Sequence, residues 1–203
     1  MTERLPYLAS SAALPYREIR LLPVTVVLDN IRSMYNVGAF FRTIDAAAAE
    51  KLVLCGITAC PPKREISKTA LGAEDTVSWE HRTSVTEAVH ALRARGYEIA
   101  AIETSTRAID LFDWEPSFPV CLLFGHEVDG LGEKTLEQCD THVRIPMLGR
   151  KHSLNVATAG GVALFELLRK FRRRVDSARY GRQRSDRSGK LDYKTSAKSP
   201  TFC

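Results

Sequence analysis

Two side chains in the stretch DNIRSMYNVGAFFRT, residues 29–43, could act on a phosphate or a sugar. Asn36 carries an amide that both donates and accepts hydrogen bonds, and Arg42 carries a planar fork of N–H donors that matches phosphate oxygens. In the plainer interpretation, Asn36 caps a helix and Arg42 is a surface charge. In the functional interpretation, the two side chains converge on a phosphate or a ribose.

A second stretch, LLFGHEVDGLG at residues 122–132, places glycines directly after an apolar run. Gly125, Gly130 and Gly132 allow tight turns or backbone amides exposed to a ligand. Their spacing matches neither the dinucleotide motif GxGxxG nor the nucleotide-binding motif GxxxxGK[ST]. Glu127 is either an ordinary loop carboxylate or a group that orients another site residue, such as Arg42.

A third stretch, IPMLGRKHSLNVATAGG at residues 145–161, opens a long apolar helix with polar residues. Ser153 is the predicted N-cap, because its hydroxyl can accept from an amide one turn into the helix. Asn155 is a mediocre helix former and needs a separate role. Gly160 and Gly161 should each cost about 1 kcal/mol relative to Ala in a helix. They indicate either the close approach of another helix, from this chain or a second subunit, or a locally weak, packed helix.

Each of the three stretches follows a predicted strand. Apolar periodicity predicts strands at 23–30, 51–57, 77–82, 97–103, 119–125 and 142–147, and helices at 36–50, 84–96, 133–140 and 153–174. Residues 60–76 are expected to form a loop with at most one short helix, and Ser84 with Glu87 forms a predicted capping box. Such alternation predicts an α/β fold, with a parallel sheet covered by helices on both faces. Ligands of such sheets bind beyond the carboxyl ends of the strands, where the strand order changes direction.

The basic residues are concentrated near the C-terminal end. Residues 169–190 contain ten Lys or Arg and two Asp, a net charge of +8, whereas the whole chain carries +5. This cluster indicates either a polyanionic partner, RNA or DNA, or a solvated helix end. The expected organisation is an arm at 1–20, one domain at 21–175, and a basic tail at 176–203 that is disordered from about residue 185.

Composition argues against several other classes of protein. The 203 residues are 44% hydrophobic, yet no run of 18 apolar residues indicates a membrane span. The first 20 residues lack the apolar core of a secretory signal, which favours a cytoplasmic location. The five cysteines show no CxxC pairing, which is typical of reduced thiols and makes a metal site unexpected.

In combination and in order, the three stretches closely resemble the motifs of the TrmH (SpoU) family, within the SPOUT superfamily of RNA methyltransferases that use S-adenosylmethionine. The resemblance covers residues 23–170. It implies a parallel sheet with a deep C-terminal trefoil knot, a homodimer that shares residues across its interface, and transfer of the cofactor's methyl group to a ribose 2′-oxygen of tRNA or rRNA. The resemblance is to a catalytic domain with short extensions, so the family's frequent N-terminal RNA-binding domain is not expected in these residues.

The resemblance also implies roles for individual residues. Arg42 corresponds to the family's catalytic arginine, and the other site positions are Asn36, Glu127, Ser153 and Asn155. The cofactor is expected to contact Thr104, Gly125, Ile145 and Leu154. A guanidinium keeps its proton at ordinary pH, so we expect Arg42 to bind a phosphate and stabilise the developing alkoxide. The proton acceptor stays open between a phosphate, a water and the arginine that family proposals favour.

Two other classes of function remain. One is an RNA-binding protein that retains the SPOUT fold without catalysis, against which the intact Arg42, Glu127 and Ser153 argue. The other is an α/β enzyme that binds a small molecule or a dinucleotide, against which the missing dinucleotide motif and the basic tail argue.

Overall fold

A computed structural model of the protein describes the backbone of residues 21–188 and the side chains of residues 21–177. The predicted arm at 1–20 and residues 189–203 of the predicted tail lie outside this range. Seven strands occur within it: β1 (Leu22–Asp29), β2 (Ala49–Cys55), β3 (Trp79–Arg82), β4 (Glu98–Ile102), β5 (Ile109–Asp110), β6 (Val120–Phe124) and β7 (Thr141–Arg144). The helices are α1 (Met34–Ala47), α2 (Arg64–Ala70), α3 (Ala73–Thr76), α4 (Val85–Ala94), α5 (Glu133–Leu136) and α6 (Val156–Ser188).

The seven strands form one sheet in the order β3-β2-β1-β6-β4-β7-β5. All six pairings are parallel, as predicted. From β1 the chain builds outward to β2 and β3 on one side, and the later strands lie on the other side. The strand order therefore changes direction between β1 and β6. A ligand crevice is expected beyond the carboxyl ends of the strands near this point.

Helices cover both faces of the sheet, which confirms the predicted fold class. Val24, Val26 and Leu28 of β1 face a core formed with α1, α2 and α6, whereas Val27 faces a second core formed with α4. The aromatic rings of Phe40 and Phe124 pack at 5.1 Å between centroids in the first core. The alternation of the side chains along β1 places a continuous apolar strand between two helical layers. The trefoil knot does not follow from the strand order and stays a prediction.

Several element boundaries differ from the predictions. The loop at 60–76 contains two short helices, α2 and α3, and β5 has only two residues, too few for an apolar pattern to reveal. Ser84 occupies the N-cap of α4, but its side chain forms no capping hydrogen bond. The last helix begins at Val156 rather than at residue 153 and continues to Ser188 rather than 174, so the first part of the predicted tail is helical.

Glycine at two positions of the helical layers permits close packing. A Cβ on Gly38 of α1 would lie 2.3 Å from the carbonyl oxygen of Ile66 in α2. A Cβ on Gly160 of α6 would lie 2.2 Å from the ring of Phe40 in α1. The helix that approaches Gly160 therefore belongs to the same chain, which decides one of the alternatives left open for the ATAGG stretch.

Candidate active site

A cavity of about 500 Å³ lies beyond the carboxyl ends of β4, β6 and β7. It is therefore at the edge of the sheet where ligands of parallel α/β proteins bind. The chain segments that follow these strands, together with the start of α6, supply its wall: Ile102, Glu103, Thr104, Phe124, Gly125, His126, Glu127, Val128, Gly130, Arg144, Ile145, Met147, His152, Ser153, Leu154, Asn155, Val156 and Ala159.

All four residues expected to contact a cofactor lie in this wall. Thr104 follows β4, Gly125 follows β6, Ile145 follows β7, and Leu154 precedes α6. A Cβ on Gly125 would come within 2.3 Å of the backbone of Gly130, so glycine is needed for the loop to fold back against the strand end. The sequence therefore predicted which segments converge, because the carboxyl ends of parallel strands meet at one edge of the sheet.

A hydrogen-bond network centred on Glu127 connects the three motif stretches. Glu127 Oε1 accepts from the backbone N–H of Ser33 (3.0 Å) and from Asn36 Nδ2 (3.1 Å), and Oε2 accepts from the N–H of Arg32 (3.1 Å). Asn36 Oδ1 in turn accepts from Asn155 Nδ2 at 3.1 Å. One carboxylate thus fixes the loop after β1 and the first turn of α1, and the amide of Asn36 joins α1 to the start of α6.

The hydrogen bonds outweigh burial in setting the pKa of Glu127. Burial by itself would raise the pKa, but the backbone amides of Ser33 and Arg32 and the side chain of Asn36 lower it below the ordinary value. Glu127 is therefore ionised at neutral pH and acts as a fixed acceptor. It contacts the loop after β1 and not Arg42, which differs from the prediction that it orients the arginine.

Asn155, not Ser153, is the N-cap of α6. Its Oδ1 accepts from the N–H groups of Ala157 (3.0 Å) and Thr158 (3.2 Å), and its backbone carbonyl accepts from Ala159 at 2.9 Å. Ser153 lies two residues before the cap and lines the cavity. The predicted capping role of Ser153 is therefore wrong. Asn155, whose role the sequence left unexplained, performs it, and its Nδ2 donates to Asn36.

A different residue from the predicted one also caps α1. Ser33 Oγ accepts from the N–H of Asn36 at 3.3 Å, so Asn36 is not the cap that the plainer interpretation proposed. Asn30, at the end of β1, donates to Asp29 and accepts from the N–H of Ile57. It therefore ties the ends of β1 and β2 together and does not line the cavity.

Among the predicted site residues, Arg42 alone neither lines the cavity of the single chain nor bonds to a residue that does, whereas Asn36 is bonded to Glu127 and Asn155 of the wall. It is exposed on α1, and the described residues offer it no hydrogen bond or ion pair. The pattern of α1 explains this position, since Val37, Phe40, Phe41 and Ile44 are buried and direct the intervening Arg42 outward. The chain alone therefore brings together Asn36, Glu127, Ser153 and Asn155, but not Arg42.

Glu103 is a cavity residue that the sequence analysis missed. It follows β4 and accepts hydrogen bonds from two separate backbone segments, the N–H of Thr104 and the N–H of Leu131. A single Glu after a strand carries no spacing pattern, so nothing in the sequence distinguished it from a surface carboxylate. The only available signal was its position, one residue before Thr104.

The basic cluster is less uniform than the sequence indicated. Lys170 is buried, and its Nζ donates to the carbonyl oxygens of Leu111 (3.0 Å), Phe112 (3.2 Å) and Trp114. This lysine fastens α6 to the turn after β5. Arg169 is exposed and forms two hydrogen bonds to Glu166. Among the described side chains, Arg172, Arg173 and Arg174 are the exposed cations of the cluster without a carboxylate partner.

Neither a metal cluster nor a membrane-spanning helix is found in the part of the chain that the structure describes. Between residues 21 and 177, no three His, Cys, Asp or Glu side chains are grouped so that they could hold a metal ion. No helix described up to residue 188 is both long and apolar enough to cross a bilayer. Four of the five cysteines fall in this range, and all four are free thiols.

Comparison with curated proteins gives relatives with consistent names. One from Ralstonia nicotianae, named 23S rRNA (guanosine-2′-O-)-methyltransferase RlmB, is 36% identical over 148 residues, which are 72% of this chain and 59% of the relative. One from Bacillus subtilis, a putative TrmH family tRNA/rRNA methyltransferase named YacO, is 28% identical over 148 residues, which are 73% of this chain and 59% of the relative. The chain thus spans about three-fifths of the length of these curated relatives.

Solved structures of similar fold carry similar descriptions. A crystal structure of an AdoMet-bound rRNA methyltransferase from Sinorhizobium meliloti matches with a TM-score of 0.68 and 32% identity, covering 72% of this chain and 56% of that one. A TrmH/SpoU tRNA modifying enzyme from A. aeolicus matches with a TM-score of 0.69 and 25% identity, covering 76% of this chain and 78% of that one.

The family model of the SpoU rRNA methylases matches residues 23–165, which contain all three motif stretches and the cavity. On this match, the chain belongs to the SpoU rRNA methylase family.

Proposed function

We propose that this protein transfers the methyl group of S-adenosylmethionine to a ribose 2′-oxygen of tRNA or rRNA. The observation that carries the proposal is the convergence of the second and third motif stretches on one cavity, to which the Glu127–Asn36–Asn155 network joins the first stretch. The relatives named as 2′-O-methyltransferases and the similar AdoMet-bound structure support the same reaction. We also propose that the protein is cytoplasmic and that its C-terminal part forms the trefoil knot.

The residues around the cavity fit a nucleoside-containing cofactor. The cavity volume of about 500 Å³ lies within the range of roughly 300–1,000 Å³ for small-molecule sites. Apolar side chains of Ile102, Phe124, Ile145 and Leu154 would hold an adenine ring, and the backbone around Gly125 would approach the ligand closely. When bound, S-adenosylmethionine supplies a methyl group already activated by its sulfonium.

The protein must then align the acceptor ribose and dispose of its proton. Glu127, Asn36 and Asn155 fix the loops on either side of the cavity before substrate arrives, which preserves the geometry of an in-line transfer. Arg42 would bind a phosphate beside the target ribose and stabilise the developing negative charge on its 2′-oxygen. Because guanidinium keeps its proton at ordinary pH, the hydroxyl proton would leave to that phosphate or to a water.

We infer that Arg42 performs this role in the cavity of a second copy of the chain. It is exposed on α1, lies outside the cavity of its own chain, and finds no partner among the described side chains. A symmetric homodimer presents the same surface from both copies, so one arginine could complete each of two cavities. A homodimer would explain why Arg42, a residue of the first motif stretch, lies apart from the second and third stretches within a single chain.

Complementation between two inactive variants tests the shared site. Arg42→Ala and Glu127→Ala should each bind S-adenosylmethionine but lose most methyl transfer to RNA. If Arg42 acts across the interface, a mixed dimer of the two variants contains one intact site. Randomly mixed subunits should then recover up to about a quarter of the wild-type rate, since half of the dimers would be mixed.

The control for Arg42 is Arg64→Ala, which removes another exposed arginine from the neighbouring helix α2. This variant should keep its methyl transfer. Full activity of Arg42→Ala would refute its role, and the absence of recovery in mixtures of stable, inactive variants would refute the shared site. A binding protein without catalysis would show no transfer of labelled methyl by the wild-type protein to any RNA fraction.

The basic cluster is proposed to hold the flanking RNA. Arg172, Arg173 and Arg174 lie on the helix that begins at the cavity, roughly 25 Å along its axis from Val156 at 1.5 Å per residue. Replacing all three with Gln should weaken RNA binding. It should also reduce the slope of log affinity against log salt concentration by the amount that corresponds to the loss of up to about three phosphate contacts. An unchanged salt slope would show that the cluster is only solvated.

Mapping of 2′-O-methyl groups in RNA from a strain lacking the protein would identify the target nucleotide.

A further inference from the structure

The carboxylate of Glu103 is held in a defined position in the cavity wall. Its Oε1 accepts from the backbone N–H of Thr104 at 2.9 Å, and its Oε2 accepts from the N–H of Leu131 at 3.2 Å. These amides belong to the segment after β4 and to the loop after β6. Each oxygen is therefore fixed by a different part of the chain, and the carboxylate plane cannot rotate without breaking one of the two bonds.

The surrounding backbone is adapted to this carboxylate. Gly130 adopts a positive φ of 68°, and a Cβ at that position would lie 2.4 Å from Glu103 Oε2. The loop after β6 thus approaches the carboxylate as closely as only glycine permits. Because this loop also carries Glu127, the position of Glu103 is coupled to the network that joins the motif stretches.

Glu103 retains capacity to accept further hydrogen bonds. An ionised carboxylate offers about four lone-pair sites, and the two backbone amides occupy one site on each oxygen. The Thr104 hydroxyl also donates to Oε1, but at 3.5 Å this is a long bond, and the hydroxyl can rotate to make room for a closer donor. Within the described range, Glu103 forms no ion pair, and the cavity's Arg144 is already bonded to Asp110 at 2.5 Å. Glu127, the other carboxylate of the wall, already accepts three hydrogen bonds, two from the loop after β1 and one from Asn36 of α1.

We propose that Glu103 binds the vicinal diol of the cofactor's ribose, a contact that rests on the proposed use of S-adenosylmethionine. The two adjacent hydroxyls of a ribose can each donate to one oxygen of a carboxylate, and acidic side chains bind ribose hydroxyls in this way in dinucleotide-binding folds. The backbone amides hold both oxygens of Glu103 in place in the cavity wall, so that each could accept one of these donors. The apolar residues Ile102 and Phe124, which precede Glu103 and Gly125, lie beside it in the wall where the attached base would bind.

This assignment makes Glu103 a specificity residue for the cofactor and does not involve it in the transfer of the methyl group. Interior nucleotides of RNA carry a single free hydroxyl on each ribose, so the paired acceptor would distinguish the cofactor from the RNA chain. A purely structural role, in which Glu103 only fixes the loop at Leu131, would affect all ligands of the cavity equally.

Binding of S-adenosylhomocysteine and of its 2′-deoxy and 3′-deoxy analogues, measured by calorimetry on the full chain, tests the proposal. Wild-type protein should bind each deoxy analogue at least roughly tenfold more weakly, because each lacks one hydrogen bond to a charged acceptor. In Glu103→Gln the penalty for losing a hydroxyl should fall to no more than about threefold, since only a neutral hydrogen bond remains to be lost. The control Glu137→Gln, an exposed carboxylate after α5, should keep the wild-type ratio.

Three results would count against the assignment. Equal binding of the parent ligand and both deoxy analogues by wild-type protein overturns it without reference to any variant. Equal penalties in wild-type protein and Glu103→Gln show that Glu103 only supports the loop, and leave the proposed function intact. No binding of S-adenosylhomocysteine by wild-type protein removes the proposed function and this inference with it.

Discussion

Replacing Asn155 in two ways separates its structural role from its role in the site. Asn155→Ala removes the N-cap of α6, worth about 1 kcal/mol, and an exposed hydrogen bond to Asn36, worth about 0.5 kcal/mol. The free energy of unfolding should fall by about 1.5 kcal/mol, which lowers the melting temperature of a domain of this size by roughly 3–6 °C. The cap consists of the hydrogen bonds that Asn155 Oδ1 accepts from the N–H groups of Ala157 and Thr158. The exposed bond is the one that Asn155 Nδ2 donates to Asn36.

Asn155→Asp should behave differently. The new carboxylate still accepts from both helix amides, and a negative charge at a helix N-terminus contributes about 0.3–1 kcal/mol. The donor to Asn36 is lost, however, and a carboxylate now faces Asn36 Oδ1. We expect stability within about 0.5 kcal/mol of the wild type but at least a tenfold loss of methyl transfer, because repulsion displaces Asn36 from Glu127.

Thermal unfolding and a labelled-methyl transfer assay measure the two effects separately. Ser153→Ala is the matched control for stability, and should change it by less than about 0.5 kcal/mol because Ser153 caps no helix amide. Equal destabilisation by Asn155→Asp and Asn155→Ala would refute the cap assignment. Undiminished methyl transfer by a stable Asn155→Asp protein would refute the role of the network.

Three further outcomes are expected. Gly38→Ala should destabilise the protein by about 2 kcal/mol in urea unfolding, because its Cβ meets the backbone of α2 at 2.3 Å, whereas Gly149→Ala, with open space around it, should have little effect. The lowered pKa of Glu127 means that its ionised form stabilises the fold above the ordinary pKa of 4.5, and that this contribution is lost as the pH falls through the folded-state pKa. The stability advantage of wild type over Glu127→Gln, present at pH 7, should therefore shrink in pH-dependent unfolding as the pH falls below 4.5. Lys170→Met leaves the carbonyl oxygens of Leu111, Phe112 and Trp114 without this donor, in two buried bonds and one partly buried bond, and should cost about 2–3 kcal/mol. A stability equal to wild type would contradict the role of Lys170 in holding α6 against the turn after β5.

The sequence predicted the site to the extent that strand ends determine it. The motif stretches follow β1, β6 and β7, and the parallel order of these strands brings Gly125, Glu127 and Ile145 to one edge without any further information. Ser153 and Asn155 are both good capping residues, so only the path of the preceding loop decides between them. That path depends on contacts distant in sequence, such as the one between Asn155 and Asn36.

Sequence patterns did not predict two other features of the structure, for different reasons. β5 is too short for periodicity, and its pairing with β7 depends on the turn that Lys170 fastens from a helix about sixty residues away. The exposed position of Arg42 could have been deduced from the apolar spacing of α1, which directs it away from the core. The sequence analysis left open whether Arg42 is a surface charge or a site residue, and the structure of one chain gives the exposed position.

The uninterrupted course of α6 has a consequence for how related proteins could diverge. The helix starts at the cavity with Val156 and continues for 33 residues to Ser188, a length of about 50 Å. Inserting one residue after Lys170 would leave the cavity unchanged but turn every later position by about 100° around the helix axis. A single insertion or deletion there could therefore redirect the distal half of α6 towards a differently shaped binding partner, with no mutation in the part of the molecule that forms the cavity.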